Sequence, residues 1–316
     1  IDWSRQVDSS VGLTSGALYE YIPATKLKGK EDWVPESQHY EYYSQSTSFP
    51  IEVQEERTLN FPEHLQVYLF ENGNTRNFDS AKFGTTGVLD YYLMDASSLF
   101  PVLALNLSPG DTVLDMCAAP GGKSLACLQT LYPDFVVCND LSESRTKRMT
   151  RVMDQYFFNL EKKIKITRMD GLKISDSNTY SKILVDVPCT ADRVSLSEND
   201  NNIFRPDRLK ERIHLPELQA DLLCSALQLV KIGGTVVYST CSLSPIQNDG
   251  VVHMALKKIW EETSVKVIVK DLSEALIPAE EFFCIGKFGL RYGHIILPFL
   301  PKNFGPMYFC KFVRSR

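Results

Sequence analysis

Thr112-Val113-Leu114-Asp115-Met116-Cys117-Ala118-Ala119-Pro120-Gly121-Gly122-Lys123-Ser124 decides the fold. A short apolar strand runs into a loop of small residues, and the loop opens a helix predicted over Gly122–Tyr132. The same alternation continues downstream. Strands are predicted at Phe135–Cys138, Lys163–Thr167, Lys182–Val187 and Thr235–Ser239. Between them fall helices at Ser142–Phe157 and Pro216–Lys231, the latter stopped by Gly233-Gly234 and preceded by a long polar loop, Ala191–His214. A further helix follows over about Ile246–Glu262, and the tail offers strands near Val265–Val269, His294–Leu297 and Met307–Phe312. Upstream, Leu89, Leu93, Ala96, Leu99 and Leu103 recur at helical spacing and predict a lead-in helix over Val88–Asn106. Strands alternating with helices imply an α/β fold, a mainly parallel doubly wound sheet with right-handed crossovers.

Residues 1–85 are aromatic, acidic and punctuated by Pro at Pro23, Pro35, Pro50 and Pro62; they read as a small N-terminal subdomain of short helices and a few strands, with 86–316 as the main α/β domain. A chain beginning at Ile1 is read as trimmed or processed, so a targeting segment would be missing from it. The 316 residues are 44% hydrophobic and 23% charged, which suits a globular protein. No apolar run approaches the roughly 20 residues that cross a bilayer, so no membrane partner is expected.

The net charge is −5, carried by the first 65 residues, which hold five Lys/Arg against eleven Asp/Glu. From Ser142 to Lys173 nine basic residues face four acidic ones. That stretch reads either as a phosphate-facing surface or as a solvated helix face. The eight cysteines form no CxxC pair and no Cys/His cluster, which argues against a structural zinc site, and no metal is expected.

In a doubly wound sheet, ligands bind beyond the carboxyl ends of the strands, where the strand order reverses. The loop after the first strand matches neither a P-loop, which needs Gly where Cys117 stands, nor a G-x-G-x-x-G fingerprint. Asp140 ends the second strand, nineteen residues after Gly121, where an acidic residue can bond ribose hydroxyls. Met169-Asp170-Gly171 after the third strand can bracket an adenine. These features fit an adenosine ligand without a phosphate chain, S-adenosylmethionine, although another nucleoside fits them too. The predicted cofactor set is Cys117, Ala118, Gly121, Gly122, Lys123, Asp140, Arg145, Asp170, Gly171 and Asp186.

Two cysteines depart from the buried, apolar pattern of the others. The fourth strand ends in Asp186-Val187-Pro188-Cys189-Thr190 and the fifth in Tyr238-Ser239-Thr240-Cys241-Ser242. A single Cys at a strand end is more often structural than catalytic. Two on adjacent strand ends, beside Asp186 and a cofactor loop, reverse that reading.

The blocks Asp115–Ser124, Asp186–Thr190 and Tyr238–Ser242, in that order, resemble the signatures of the Sun-domain (Nop/Sun) RNA cytosine-5 methyltransferases. The resemblance covers roughly Val88 to Phe312. It is strongest to the mitochondrial ribosomal RNA member, through Tyr91–Asp95, Asn201–Phe204 and Asn303–Phe309. It implies a Rossmann-like class I methyltransferase with a seven-stranded sheet and an antiparallel C-terminal strand, and transfer of a methyl group from S-adenosylmethionine to carbon 5 of cytosine. In this family the Thr-Cys cysteine attacks, so the resemblance makes Cys241 the nucleophile on carbon 6 and Cys189 the group that serves product release. DNA enzymes use the Pro-Cys cysteine instead. Asp186 is then expected on the amino or N3 edge of the base. Lys123 is either the partner of the base carbonyl or only a helix-start lysine.

A base entering such a pocket must leave its stack, which favours a loop or an opened RNA. The loop Ala191–His214 carries Arg193, Arg205, Arg208, Lys210 and Arg212 and reads as an RNA clamp or a solvated loop. The resemblance implies a mitochondrial matrix location, a role in mitochondrial ribosome assembly, and a helical-repeat partner of the mitochondrial transcription-termination-factor kind. The acidic N-terminal region is the candidate interface. A tRNA cytosine-5 methyltransferase, or a non-catalytic ribosome assembly factor on the same fold, are the alternatives.

Overall fold

The computed structural model describes residues 49–316, apart from 75, 159–161, 177 and 198–201. Most of the predicted N-terminal subdomain therefore lies outside the described residues.

Seven strands form the body of the sheet: β2 (Thr112–Asp115), β3 (Phe135–Asn139), β4 (Ile164–Thr167), β5 (Lys182–Asp186), β6 (Thr235–Thr240), β7 (Val267–Asp271) and β10 (Met307–Arg314). Their order is β7-β10-β6-β5-β2-β3-β4, with β1 (Glu52–Glu55) added parallel to β7 at the edge. β8 (Ile285–Gly286) and β9 (His294–Ile296) extend the sheet beside β10. β10 is antiparallel to both β6 and β7, and β2 to β6 run parallel. The mainly parallel, Rossmann-like sheet with an antiparallel C-terminal strand is as expected.

Period-2 alternation explains why this sheet is covered on both faces. Leu114, Ile183, Val185, Val236 and Tyr238 point to one side and pack with Leu223, Leu227, Val252 and Ala255. Those residues come from α5 (Leu209–Leu229) and α6 (Val251–Glu262). Val113, Val136, Leu184 and Val237 point to the other side, against Phe100, Leu125, Leu128 and Met149. These belong to α1 (Phe100–Ala104), α2 (Gly122–Gln129) and α3 (Glu143–Tyr156). Single-residue steps along each strand thus feed two separate cores.

The structure corrects the prediction in two places. The lead-in helix is confined to a 3-10 turn at Ala96–Leu99 and the short α1. Asp95 caps that turn by accepting from the Ser97 amide, and residues 88–95 are not helical, with Leu89 bridged to Phe83. The apolar spacing was real, but the cap sets the start of the helix. The polar stretch before Pro216 is also not one loop. It holds α4 (Asp192–Ser197), and α5 begins at Leu209, with Pro216 inside it rather than at its start.

Strand order reverses at β2, which has β3 on one side and β5 on the other. The loops after β2, β3, β5 and β6 consequently meet on one rim. In register, Asp186 sits opposite Ser239 and Asp115 opposite Leu184, so the segments carrying Cys189 and Cys241 leave the sheet side by side.

Candidate active site

The cofactor side of the rim is built mainly from backbone. Gly121 lies in the left-handed region at φ 109°, a conformation that side chains resist, and turns the chain into α2. Gly122 lacks a Cβ where one would come within 2.9 Å of the Tyr92 ring. No side chain caps α2, which leaves its first amides open to a ligand. Arg145, from α3, donates to the Ala119 carbonyl at 2.6 Å and lies 3.4 Å from Asp140 Oδ2. Asn139 ties three strand ends together: its amide donates to the carbonyls of Met116 and Met169, and its oxygen accepts from Thr167 and the Met169 amide. Asp170 caps the turn Gly171–Lys173, and Gly171 packs where a Cβ would press on Leu222 and Met116.

Two carboxylate oxygens on this side are buried without a hydrogen-bond partner: Asp140 Oδ2 and Asp115 Oδ1. The other oxygen of Asp140 accepts from the Ser142 amide at 2.9 Å, and that of Asp115 from Ser124 Oγ at 2.5 Å. Burial pushes the Asp115 carboxyl up to about 7, against the lowering effect of the Ser124 hydroxyl. An unmet buried acceptor costs on the order of 1–3 kcal/mol. Asp140 Oδ2, at the end of β3, is thus placed to accept from a ribose hydroxyl, and the donor set fits an adenosine ligand. Burial and the neighbouring carboxylates raise the Cys117 thiol far above its ordinary range, and the side chain packs, partly buried, against the core.

The other side of the rim holds the two cysteines. Cys189 Sγ and Cys241 Sγ are 3.1 Å apart. The hydrogen bond from Cys189, together with Lys123, outweighs burial and the charges of Asp186 and Asp192, so the Cys241 thiol titrates below its ordinary value. Cys189 moves the opposite way, raised by its bond to Cys241 and by burial. The two thiols are thus shifted in opposite directions, and Cys241 is the one that ionises more readily. Lys123 Nζ donates to Asp186 Oδ2 at 2.8 Å, and Ser239 Oγ donates to Asp186 Oδ1 at 2.7 Å. Burial works against the Lys123 charge, but the Asp186 carboxylate more than restores it. Asp186 and Lys123 thus stand as a fixed ion pair beside Cys241.

A polar network behind the cysteines escaped the sequence reading. Thr190 donates to Asp192 Oδ1, and the Leu243 amide donates to Asp192 Oδ2 at 2.7 Å. Gln247 accepts from the Thr190 amide and donates to its hydroxyl, both at 3.1 Å. Gln219 donates to the Pro188 carbonyl at 2.8 Å, and Thr240 donates to Asn248 at 2.6 Å. Gln247 and Asn248 reach inward because residues 246–250 form a π-helical turn broken at Asn248 (φ −99°, ψ −109°) before α6 begins. Such turns recur at functional sites. The hydroxyl residue directly after each cysteine, Thr190 and Ser242, was the available signal.

The predicted RNA clamp is largely committed to internal contacts. Arg193 donates to the carbonyls of Asn303 and Gly305 and pairs with Asp95; Arg205 pairs with Asp207 and Arg208 with Glu211. Arg212 donates to the Ile203 carbonyl and lies over the Phe204 ring. A cavity of about 600 Å³ lies elsewhere, behind α2, lined by Tyr68, Phe78, Tyr92 and Tyr156 and meeting the rim only at Gly122. It contains neither cysteine nor Asp186. Among the described residues there is no cluster of potential metal ligands, and no helix is long and apolar enough to cross a membrane.

Residues 102–312 match the family described as 16S rRNA methyltransferase RsmB/F. The chain belongs to that family. The chain is an RNA cytosine-5 methyltransferase with S-adenosylmethionine as its cofactor. It is 47% identical over 262 residues to the 5-cytosine rRNA methyltransferase NSUN4 of Mus musculus, covering 81% of this chain and 68% of that protein. It is 41% identical over 223 residues to the mitochondrial tRNA (cytosine(34)-C(5))-methyltransferase of Danio rerio, covering 69% of this chain and 59% of that one. The chain thus spans about two thirds or less of the length of these RsmB/F relatives. Among solved structures, NSun6 from Pyrococcus horikoshii with SFG, an analogue of S-adenosylmethionine, aligns with a TM-score of 0.55 at 25% identity, over 71% of this chain and 53% of that one.

Proposed function

We propose that this chain methylates carbon 5 of a cytosine in mitochondrial small-subunit ribosomal RNA, with Cys241 as nucleophile and Cys189 as the group that serves release. The observation that carries the reading is the approach of two thiols to 3.1 Å at adjacent strand ends, beside the Lys123–Asp186 pair.

Carbon 5 of cytosine is a weak nucleophile. Addition of the Cys241 thiolate to carbon 6 pushes an electron pair toward carbon 5 and makes the ring enamine-like. Ala118, Gly121, Gly122, Asp140, Arg145, Asp170 and Gly171 would hold S-adenosylmethionine, which when bound would supply an electrophilic methyl group. Asp186 meets the amino or N3 edge of the base, where the ring's charge changes, and Lys123 faces its carbonyl. A base then removes the carbon-5 proton, and the Cys241 sulfur leaves with the electron pair of its bond to carbon 6. Cys189, protonated and in contact with Cys241, serves that departure. Covalent catalysis divides one hard step into two easier ones.

A ribosomal substrate is supported by the name of the relative at 47% identity; a tRNA substrate, the second reading, is favoured by the relative at 41%. The name of the second relative likewise supports a mitochondrial location; the matrix and a role in mitochondrial ribosome assembly are what the resemblance implies. The acidic balance of residues 1–65 and the engaged arginines of 193–212 support shared RNA delivery. The partner is a helical-repeat protein of the mitochondrial transcription-termination-factor kind, with residues 1–85 contributing to its interface. Incubation with radiolabelled S-adenosylmethionine and a panel of RNAs, followed by mapping, tests the reading. Label should enter a cytosine of mitochondrial small-subunit ribosomal RNA. Preferential labelling of tRNA would overturn the substrate, and label on any other atom would overturn the reaction.

A further inference from the structure

Asp192, the first residue of α4, touches neither cysteine, yet its carboxylate joins the two loops that carry them. Oδ1 accepts from the hydroxyl of Thr190, the residue after Cys189. Oδ2 accepts from the Leu243 amide at 2.7 Å and lies 3.2 Å from the hydroxyl of Ser242, the residue after Cys241. The two hydroxyls are themselves 2.8 Å apart. Thr190, Ser242, Gln247 and Asn248 are all buried, so the joint is closed on its inner side. Backbone pairing ends before this point: the Val187 amide donates to the Ser239 carbonyl, and both cysteines lie beyond that bond. Beyond it, the backbones of Ala191 and Cys241 hydrogen-bond to the Cys189 thiol, and side chains join the two loops to each other.

We infer that Asp192 is a positioning residue that fixes Cys189 against Cys241 and so sets how fast the methylated product leaves. The inference rests on the division of roles between the cysteines given above. It has an electrostatic consequence as well. The groups facing Cys241 are the Cys189 thiol, Lys123, Asp186 and Asp192, and the negative charge of Asp192 opposes the thiolate. Positioning is thus obtained at some expense in nucleophile ionisation.

The test compares Asp192→Ala and Asp192→Asn with the native chain, using substrate RNA and S-adenosylmethionine. Turnover, the RNA KM, the adduct on a denaturing gel and the pH dependence of adduct formation are read for each. For Asp192→Ala, turnover should fall about ten- to a hundredfold, as for a displaced reacting group. Its KM should stay within about twofold, because the loss lies after binding. The covalent adduct should accumulate toward the level seen in Cys189→Ala. Asp192→Asn keeps the shape and loses the charge, so its acid limb should move to lower pH, a shift that a purely architectural carboxylate would not produce. Native turnover without adduct, a loss confined to KM, or a folded Asp192→Ala that never forms adduct would each overturn the inference. If thermal melting shows that Asp192→Ala does not fold, Asp192→Asn decides alone, and an unmoved acid limb overturns it. Cys241→Ala is the control: if it turns over, the assignment of the nucleophile has failed, which is a different result.

Discussion

The two sides of the sheet rim solve different problems. Past β2 and β3 the chain offers small residues, open helix amides and two buried carboxylate oxygens with no hydrogen-bond partner. Past β5 and β6 the loops are cross-linked by side chains, from Asp192 through Thr190 and Ser242 to Gln247 and Asn248. Among the described residues only Gln219 Oε1 is left unmet there, while its amide nitrogen donates to the Pro188 carbonyl and to Gln247 Oε1. A site for a ligand that enters and leaves keeps acceptors in reserve. A pair of reacting thiols must be preset, because a displacement of about 1 Å can cost on the order of a hundredfold in rate.

The largest effect should come from breaking the preset side. Asp186 is held by Lys123 and Ser239, and Asp186→Asn removes the charge that meets the base edge. Single-turnover methylation should fall by on the order of 10²–10³-fold with cofactor affinity nearly kept. An equal loss in cofactor affinity would move Asp186 to the other side of the comparison.

The reserve side should reveal itself in stability. Asp115 has its carboxyl raised by burial to about 7 in the folded protein, above its ordinary value of 3.8. A raised folded value means that its contribution is complete below about pH 4 and is lost as pH climbs through about 7. The expected loss is roughly 4 kcal/mol across that window, taking 1.36 kcal/mol per unit. Asp115→Asn should flatten this fall when denaturant melts of the ligand-free protein are compared at pH 4 and pH 8. An unchanged slope would show that the carboxyl finds compensation in the fold. A smaller effect is expected at Asp140. Asp140→Ala should weaken S-adenosylmethionine binding about tenfold, near 1.4 kcal/mol by isothermal titration, and unchanged affinity would remove it from the cofactor set.

How much of this was legible divides along the same line. Strands β2, β3, β5, β6 and β10 were readable because each is an apolar run bounded by turn residues and buried on both faces. Asp140, Asp186 and the cysteines were readable because they terminate those runs. The joint behind the cysteines was not, since Gln219, Gln247 and Asn248 are single polar residues inside helical patterns. The meaning of Gln247 and Asn248 appears only once the π-helical turn of 246–250 aims them inward, and that of Gln219 once α5 brings it to the Pro188 carbonyl. The lead-in helix shows the opposite failure: helical spacing at Leu89 and Leu93 was accepted where Asp95 caps a later start.

The division of labour between Cys241 and Cys189 is most directly tested by a denaturing gel of three variants incubated with substrate RNA and S-adenosylmethionine. Cys189→Ala should show a slow-migrating protein–RNA species, and Cys241→Ala and the double variant should show none. A species that persists in the double variant, or that appears in Cys241→Ala instead, would contradict the assignment.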